Sequence, residues 1–172
     1  MSRKNNRVII LVEDDYEDLE LWYPYYRLLE GGALVTIVGP RAQTYASKHG
    51  YPAQATLSAE EANPADYDGV VIPGGYAPDK MRRYPALLQL VRGIWERGGV
   101  VAFICHAGWV PISAGILKGR RVTGVSAIRD DLVNAGADFV DEPVVVDGKM
   151  VSSRTPADLP AFMPAVLAAL AE

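Results

Sequence analysis

The hydrophobic positions of this chain alternate between short continuous runs and helix-like spacing. Continuous apolar runs predict buried strands over residues 7–12, 34–39, 68–72 and 100–104. Apolar positions three and four residues apart predict helices over residues 18–30, 85–97, 106–117, 128–135 and 158–170. Shorter strand patterns cover residues 121–124, 139–146 and 150–153, the last two flanking an Asp-Gly turn. This order predicts an α/β fold, a mostly parallel sheet with helices on both faces and a small hairpin.

The composition is that of a globular protein. With 172 residues, 49% of them hydrophobic and 22% charged, the chain predicts a single domain over residues 1–172. We expect the polar residues 1–6 to form a disordered tail. The net charge of −4 provides no basic surface, so neither nucleic acid nor a membrane is an expected partner. One cysteine, no secretory leader and no apolar run of ~20 residues predict a cytoplasmic protein.

Three loops follow predicted parallel strands and carry most of the candidate chemistry. They are EDDYED at residues 13–18, PGGYAPD at 73–79 and CHAGW at 105–109. In open parallel sheets, the carboxyl ends of the strands form the ligand-binding crevice. We therefore expect carboxylates, glycine backbone and a thiol with an imidazole to meet at one site.

Cys105, the only cysteine, stands at the corner between a buried strand and a predicted helix. A free thiol has a pKa of about 8.5, so a nucleophilic cysteine needs a nearby donor, cation or helix start. Amides at the start of the predicted helix would favour a thiolate, and the N–H groups of Gly74 and Gly75 could help to bind an oxyanion. An inert buried thiol explains the same position, so the residues alone leave both interpretations open.

The other candidate residues also have ordinary structural explanations. Adjacent helical residues do not face each other, so His106 meets the thiol only if the chain turns sharply at Cys105. Acids at residues 13–18 complement a helix dipole, and we expect His49 to be structural. The aromatic run WYPYY at residues 22–26 favours packing against the sheet or a partner chain. Dinucleotide, P-loop and metal-ligand motifs are missing from the sequence, which predicts neither a cofactor nor a metal.

Seven segments, taken in order, match the pattern of a known family. They are EDDYEDLELWYPYYRL, KHGY, VVIPGGYAPD, VVAFICHAG, ISAGILKGR, IRDDLVNAGADFVD and VVVDGKMVSSRTPADLPAFM. Over about residues 7–167 the chain resembles the ThiJ/PfpI superfamily, and within it the branch of PfpI-type intracellular proteases and general stress proteins. The resemblance implies a flavodoxin-like three-layer sandwich that assembles as a homo-oligomer, a dimer or a hexamer.

The resemblance also implies roles for individual residues. Cys105 is the implied nucleophile, and His106 matches the histidine that follows it in the PfpI branch. Glu17 falls on the acid that would stay protonated and donate a hydrogen bond to the thiol, because a charged carboxylate would repel a thiolate. Asp79 falls on the acid that a neighbouring subunit contributes to the histidine.

The chain departs from the family pattern at three places. Asp79 stands where glutamate is frequent, and its side chain is about 1.5 Å shorter. Ala107, followed by Gly108 and Trp109, stands where glycine commonly follows the Cys-His pair, and Tyr76 stands where a polar or basic residue is expected. We expect these residues to narrow the pocket, which would then favour aldehydes and small amides over protein chains.

Two classes of function remain open. The first is a cysteine-dependent enzyme in which Cys105 attacks a carbonyl group and His106 moves protons. Its small-molecule or peptide substrate would be an amide bond that is hydrolysed, or methylglyoxal and its adducts, as in the glyoxalase III and deglycase activities of the family. The second is a non-catalytic or chaperone-like stress protein in which Cys105 senses oxidants.

Overall fold

The computed structural model of the chain describes residues 5–172. Most of the tail expected at residues 1–6 therefore lies outside the described residues. Asn6 does not fit the expected disorder, because its carbonyl accepts a hydrogen bond from Leu34 N–H at 2.8 Å and its Nδ2 donates to the Leu170 carbonyl at 3.1 Å.

The described residues form eleven strands and six helices, numbered in chain order. The strands are β1 Arg7–Leu11, β2 Leu34–Gly39, β3 Thr44–Ala46, β4 Pro52–Gln54, β5 Leu57–Ser58, β6 Gly69–Ile72, β7 Val100–Ile104, β8 Arg121–Val122, β9 Asp138–Phe139, β10 Val144–Asp147 and β11 Met150–Ser153. The helices are α1 Asp18–Glu30, α2 Ala77–Met81, α3 Pro85–Glu96, α4 Trp109–Ser113, α5 Arg129–Asn134 and α6 Leu159–Ala171. Short 3₁₀ turns lie at Pro64–Asp66, Cys105–Gly108, Ser126–Ile128 and Pro156–Asp158.

Seven of these strands form the central sheet, in the order β10-β11-β7-β6-β1-β2-β5. Every neighbouring pair is parallel except β10 and β11, which form the hairpin around Gly148. Strands β6, β7 and β11 are buried along their whole length, which explains the continuous apolar sequence of β6 and β7. The predicted α/β architecture, a mostly parallel sheet with a small hairpin, is confirmed.

The helices cover the sheet in two groups. Helix α6 packs against β7, β11 and helix α1, while α3 packs against β6, β7 and α4. Phe103 of β7 and Phe162 of α6 are among the largest fully buried side chains of the core between these layers. Within residues 5–172, the helices are too short or too polar to cross a membrane.

The predicted helix over residues 106–117 is wrong. The chain instead forms the 3₁₀ turn Cys105–Gly108 and then the five-residue helix α4. Pro111 has no N–H to donate and is tolerated only in a first helical turn, and Gly115, at φ 73°, ends the helix in the left-handed region. The amide groups that follow Cys105 therefore belong to a short turn.

The predicted strand over residues 139–146 is interrupted. Strand β9 pairs with β8 in a separate two-stranded sheet, and β10 begins only after Pro143, which cannot donate a ladder hydrogen bond. The hairpin β3–β4 and helix α2 are not in the prediction, because elements of three to five residues are too short to show a periodicity. The remaining predicted bounds agree with the structure to within two residues.

Removal of the Phe162 side chain tests the packing of α6. We expect Phe162→Ala to lower the free energy of unfolding by about 3–5 kcal/mol, because buried apolar contact is lost and a cavity remains. Val146→Ala, on the exposed side of β10, is the control and should cost less than about 1 kcal/mol. Denaturant unfolding followed by circular dichroism measures both losses. Equal losses would contradict a core role for α6.

Candidate active site

The loops after β1, β6 and β7 meet at the carboxyl edge of the sheet, as the sequence predicts. Strands β1, β6 and β7 are neighbours, and Tyr16 in the first loop forms a backbone bridge with Gly75 in the second. The backbone of Gly74 passes so close to the third loop that an added Cβ would lie 2.8 Å from Cys105 Cβ and 2.6 Å from Glu20 Oε2. Only glycine permits this approach.

Cys105 occupies the sharp corner between β7 and the turn that follows. Its φ is 63°, a left-handed conformation that is uncommon for a non-glycine residue and costs free energy. The corner turns the chain so that His106 Nδ1 lies 3.3 Å from Cys105 Sγ, although the two residues are adjacent in sequence. The structure therefore contains the sharp turn that a Cys–His contact requires.

The thiol of Cys105 is protonated at neutral pH. Burial and the nearby negative charge of Glu20 raise its pKa to about 12, whereas the backbone N–H groups of His106 and Gly75 act in the opposite direction. The expected helix start is a four-residue turn, and although its His106 N–H favours the thiolate as predicted, burial and Glu20 outweigh it. Formation of a nucleophile requires a base to remove the proton.

His106 is placed to be that base. Burial and then the charge of Lys48 lower the pKa of His106, so the imidazole is neutral at neutral pH and can accept a proton. Its ring packs against Trp109, with 5.3 Å between ring centroids. Trp109 is held in turn by a 2.8 Å hydrogen bond from its Nε1 to Asp131 and by the Arg82 guanidinium, 5.8 Å from a ring centroid.

Glu20 is the acid beside the thiol. Its side chain is fully buried, and burial raises its pKa to about 7. Oε2 accepts a 2.7 Å hydrogen bond from Gly74 N–H, while Oε1 is buried and finds no hydrogen-bond donor among residues 5–172. A proton on Oε1 would turn this unpartnered acceptor into a donor.

Glu17, which the resemblance places beside the thiol, has other partners. Its carboxylate accepts a hydrogen bond from Leu19 N–H at 3.5 Å at the start of α1 and forms an ion pair with Lys48. The signal for Glu20 was present in the sequence, because position 20 lies on the buried stripe of α1 with Leu21, Pro24 and Leu28. An acid on the apolar stripe of a helix is unusual and indicates a specific role.

Some of the remaining predicted site residues lie in the protein interior beside Cys105, whereas others are exposed or have different partners. The N–H of Gly75 faces the sulfur, but that of Gly74 is taken by Glu20 and is not free for an oxyanion. Ala107 is fully buried. Tyr76 is 57% exposed, so within one chain it does not close the pocket. Asp79 pairs with Arg83 of the same helical segment.

His49 and the aromatic run at residues 22–26 are the other two candidates, the first next to α1 and the second within it. His49 Nδ1 is 2.8 Å from Asp18 Oδ2, a contact that fits the structural role expected for this histidine. In the aromatic run, Trp22 packs edge-on against Tyr25 and Tyr51, whereas Tyr26 is exposed. Among residues 5–172, no three His, Cys, Asp or Glu side chains converge as metal ligands.

The burial of Glu20 predicts a pH-dependent loss of stability. Its folded-state pKa of about 7 lies above the ordinary value of 4.5, so the stability that its proton provides is lost as the pH rises between these values. We expect Glu20→Gln, which cannot ionise, to gain about 2–3 kcal/mol over the natural protein between pH 5 and pH 8. Urea unfolding across this range measures the gain. Glu96→Gln, in an exposed ion pair, is the control, and a pH-independent gain at position 20 would contradict the assignment.

Known proteins share this sequence pattern over most of their length. Residues 6–169 match the DJ-1/PfpI family. The chain is 46% identical over 157 residues to a deglycase of Pyrococcus abyssi, which covers 91% of this chain and 95% of that protein. It is 43% identical over 157 residues to the deglycase PfpI of Pyrococcus furiosus, with the same coverage of both chains.

Solved structures share the fold. A two-domain protein of Anabaena variabilis with DJ-1/ThiJ/PfpI-like and ferritin-like domains superposes with a TM-score of 0.94 and 42% identity, covering 96% of this chain and 48% of that one. Drosophila melanogaster DJ-1beta superposes with a TM-score of 0.91 and 25% identity, covering 98% of this chain and 91% of that one. Sequence, relatives and the flavodoxin-like fold agree, and the chain belongs to the DJ-1/PfpI family.

Proposed function

We propose that this protein is a cysteine-dependent enzyme that acts on small carbonyl compounds such as methylglyoxal and its adducts. The observation that carries the proposal is the 3.3 Å contact between Cys105 Sγ and His106 Nδ1 at a strained corner of the chain. The deglycase names of the relatives from two Pyrococcus species support a carbonyl substrate.

In the proposed first step, the thiol of Cys105 adds to the aldehyde carbon. The S–C bond forms while the carbonyl electron pair moves to the oxygen. Because the thiol is protonated at rest, its proton passes to the neutral His106 during the attack and is then returned to the oxygen, which gives a hemithioacetal. The N–H groups of Gly75 and His106, which lie beside the sulfur, would stabilise the developing oxyanion.

For a 2-oxoaldehyde, the following steps need no external oxidant. The hemithioacetal carbon and its hydroxyl each lose a proton, and the neighbouring carbonyl carbon and its oxygen each gain one, so the first carbon is oxidised to a thioester as the second is reduced to an alcohol. Water then attacks the thioester, releases the 2-hydroxy acid and restores the thiol. His106 is the proposed proton carrier because it is the basic group in contact with the sulfur.

Glu20 would assist this chemistry in its neutral form. A protonated Oε1 donates to the sulfur and compensates for the charge that develops there, whereas an ionised Glu20 raises the pKa of Cys105. The proposed activity therefore decreases as the pH rises through about 7, the pKa of Glu20. It also decreases at low pH, because a protonated His106 cannot accept the thiol proton.

Amide hydrolysis and oxidant sensing fit the described residues less well. Expulsion of an amine requires a histidine that a carboxylate holds in orientation, and within residues 5–172 of one chain no carboxylate hydrogen-bonds to His106. A redox-sensing cysteine is an exposed thiolate, whereas burial raises the pKa of Cys105. Addition to an aldehyde expels no amine and needs no exposed thiolate.

We further propose a cytoplasmic homo-oligomer, a dimer or a hexamer, in which a second copy completes the site. Leu19, Tyr23 and Tyr26 form an exposed apolar strip on α1 that a partner chain would cover. Asp79, whose carboxylate pairs with Arg83 in its own chain, would then approach His106 of the neighbouring copy.

The catalytic roles are tested by methylglyoxal consumption with Cys105→Ala, Glu20→Gln and Glu20→Ala. We expect Cys105→Ala to lose activity by at least about 10³-fold, since the nucleophile is removed. Glu20→Gln, which keeps a hydrogen-bond donor, should keep activity within about tenfold and lose the decline above pH 7, whereas Glu20→Ala should lose about 10²-fold. Glu13→Gln is the control, because Glu13 is a buried acid whose charge adds to burial in raising the pKa of Tyr45. Full activity of Cys105→Ala would disprove the proposal.

The shared site is tested by subunit mixing. Cys105→Ala and Asp79→Ala chains should each be inactive, and co-refolded mixtures should regain part of the activity, because some sites combine an intact cysteine with an intact aspartate. Sedimentation measures the assembly state in parallel. A fully active monomer, or mixing without any recovery, would contradict the proposed arrangement.

A further inference from the structure

Lys48 is the charged residue at the candidate site to which neither the resemblance nor the proposed mechanism gives a role. Three backbone segments run side by side next to Cys105, since Tyr16 forms bridges with Gly75 on one side and with Ser47 on the other. The next residue of the outer segment, Lys48, is fixed by a 3.0 Å hydrogen bond from its N–H to the Tyr16 carbonyl. Lys48 is therefore held at a defined distance from the thiol.

The side chain of Lys48 extends from the outer segment toward the centre of the site. Its ammonium pairs with Glu17, whose own N–H donates to the Gly74 carbonyl at 3.1 Å, directly beside Cys105. The side chain of Glu17 is 9% exposed while that of Lys48 is 46% exposed, so the cation faces the opening and the anion faces the protein. An ammonium has three N–H donors, and Glu17 takes one of them.

The charge of Lys48 acts on the reacting groups. It adds to burial in lowering the pKa of His106. The contact with Glu17, with smaller contributions from Glu20 and Cys105, raises the pKa of Lys48. The Lys48 side chain is 46% exposed, so its ammonium keeps donors directed to solvent. A substrate attacked at Cys105 and carrying an anionic group would lie within range of this ammonium.

The Lys48–Glu17 pair is not needed to fasten its loop. Ser47 Oγ donates to Asp18 at 2.6 Å, His49 Nδ1 contacts Asp18 at 2.8 Å, and Tyr16 hydroxyl donates to the Tyr51 carbonyl at 2.7 Å. These three contacts hold residues 47–51 against Tyr16 and the start of α1 on both sides of Lys48. A structural role alone thus leaves the placement of the ammonium at the site opening unexplained.

We propose that Lys48 binds the carboxylate of an anionic carbonyl substrate and gives the site a preference for 2-oxoaldehydes and methylglyoxal adducts that carry a free carboxylate. The inference rests on the proposed function of Cys105 in carbonyl chemistry. In this role Lys48 is a substrate-binding residue, and Glu17 is a positioning residue that holds the ammonium and is partly displaced by the incoming carboxylate.

Alkylation of the thiol tests the anion preference without any turnover. Iodoacetate and iodoacetamide react with the same sulfur and differ in charge, so the ratio of their rates reports a nearby cation. We expect Lys48→Met and Lys48→Gln to lower the iodoacetate-to-iodoacetamide ratio about tenfold and Lys48→Arg to keep it within about threefold. Lys118→Met removes an exposed lysine elsewhere and is the matched control. A ratio that Lys48→Met and Lys48→Gln leave unchanged, or equal losses with both reagents, would overturn the proposal.

A second arm uses glyoxylate as a reversible inhibitor of methylglyoxal consumption, because glyoxylate carries a carboxylate and can add to the thiol but has no neighbouring ketone that could be reduced. We expect Lys48→Met to raise the inhibition constant of glyoxylate about tenfold with little change in the KM for neutral methylglyoxal, and Lys48→Arg to restore glyoxylate binding. Equal effects on both carbonyl compounds would count against a carboxylate site. If methylglyoxal is not consumed by the natural protein while the alkylation ratio still falls in Lys48→Met, the proposed function fails and the anion preference of Lys48 stands.

Discussion

The left-handed backbone of Cys105 is the constraint on which the candidate site depends. A non-glycine residue in this region costs about 1–3 kcal/mol and persists only where its surroundings determine it. Here β7 fixes the residue from one side, and Val125 N–H donates to the Cys105 carbonyl at 3.2 Å from the other. The sulfur is thereby directed at the neighbouring imidazole and at the glycine backbone after β6, and away from the interior of the sheet.

The electrostatics of the site follow from the burial of two acidic groups, Glu20 and Cys105, next to each other. Glu20 and Cys105 both border the backbone of Gly74. Burial and then the charge of Glu20 raise the pKa of Cys105, and burial also raises the pKa of Glu20, although the contact with Cys105 acts in the opposite direction. At neutral pH and below, the favourable state of the pair is the neutral one, and a neutral His106 is the adjacent acceptor. In the resting site both groups therefore keep their protons. Negative charge develops on the sulfur only when an electrophile is present to accept its electron pair.

Tyr16 connects this site to the outer part of the molecule. It is fully buried, bridges Gly75 and Ser47 through its backbone, and accepts a 3.1 Å hydrogen bond from Trp22 Nε1 at its hydroxyl. The aromatic run of α1 consequently has two parts with different environments. Trp22 supports the loop that carries Lys48, while more exposed rings of the same run face solvent in one chain.

Much of the architecture follows from sequence because it depends on local patterns. Continuous apolar runs specify the parallel strands, and the spacing of apolar residues specifies α1, α3 and α6, so both could be predicted. The meeting of three loops beside Cys105 also follows, since parallel strands end at one edge of a sheet. The length of the helix after Cys105 could not be predicted from apolar spacing. Pro111 and Gly115 restrict this helix to five residues, and the spacing of the apolar residues does not show where a helix ends.

The identity of the acid beside the thiol was decided by tertiary structure alone. Glu17 and Glu20 are one helical turn apart, and both belong to an acidic stretch at the start of α1. Their roles differ because the Gly74 backbone approaches Glu20, whereas Lys48, from a loop 31 residues further along the chain than Glu17, reaches the other carboxylate. Sequence by itself determined that a thiol, an imidazole and an acid would share one edge of a parallel sheet. Long-range packing decided which acid is buried, since desolvation depends on neighbours that only the folded chain brings together.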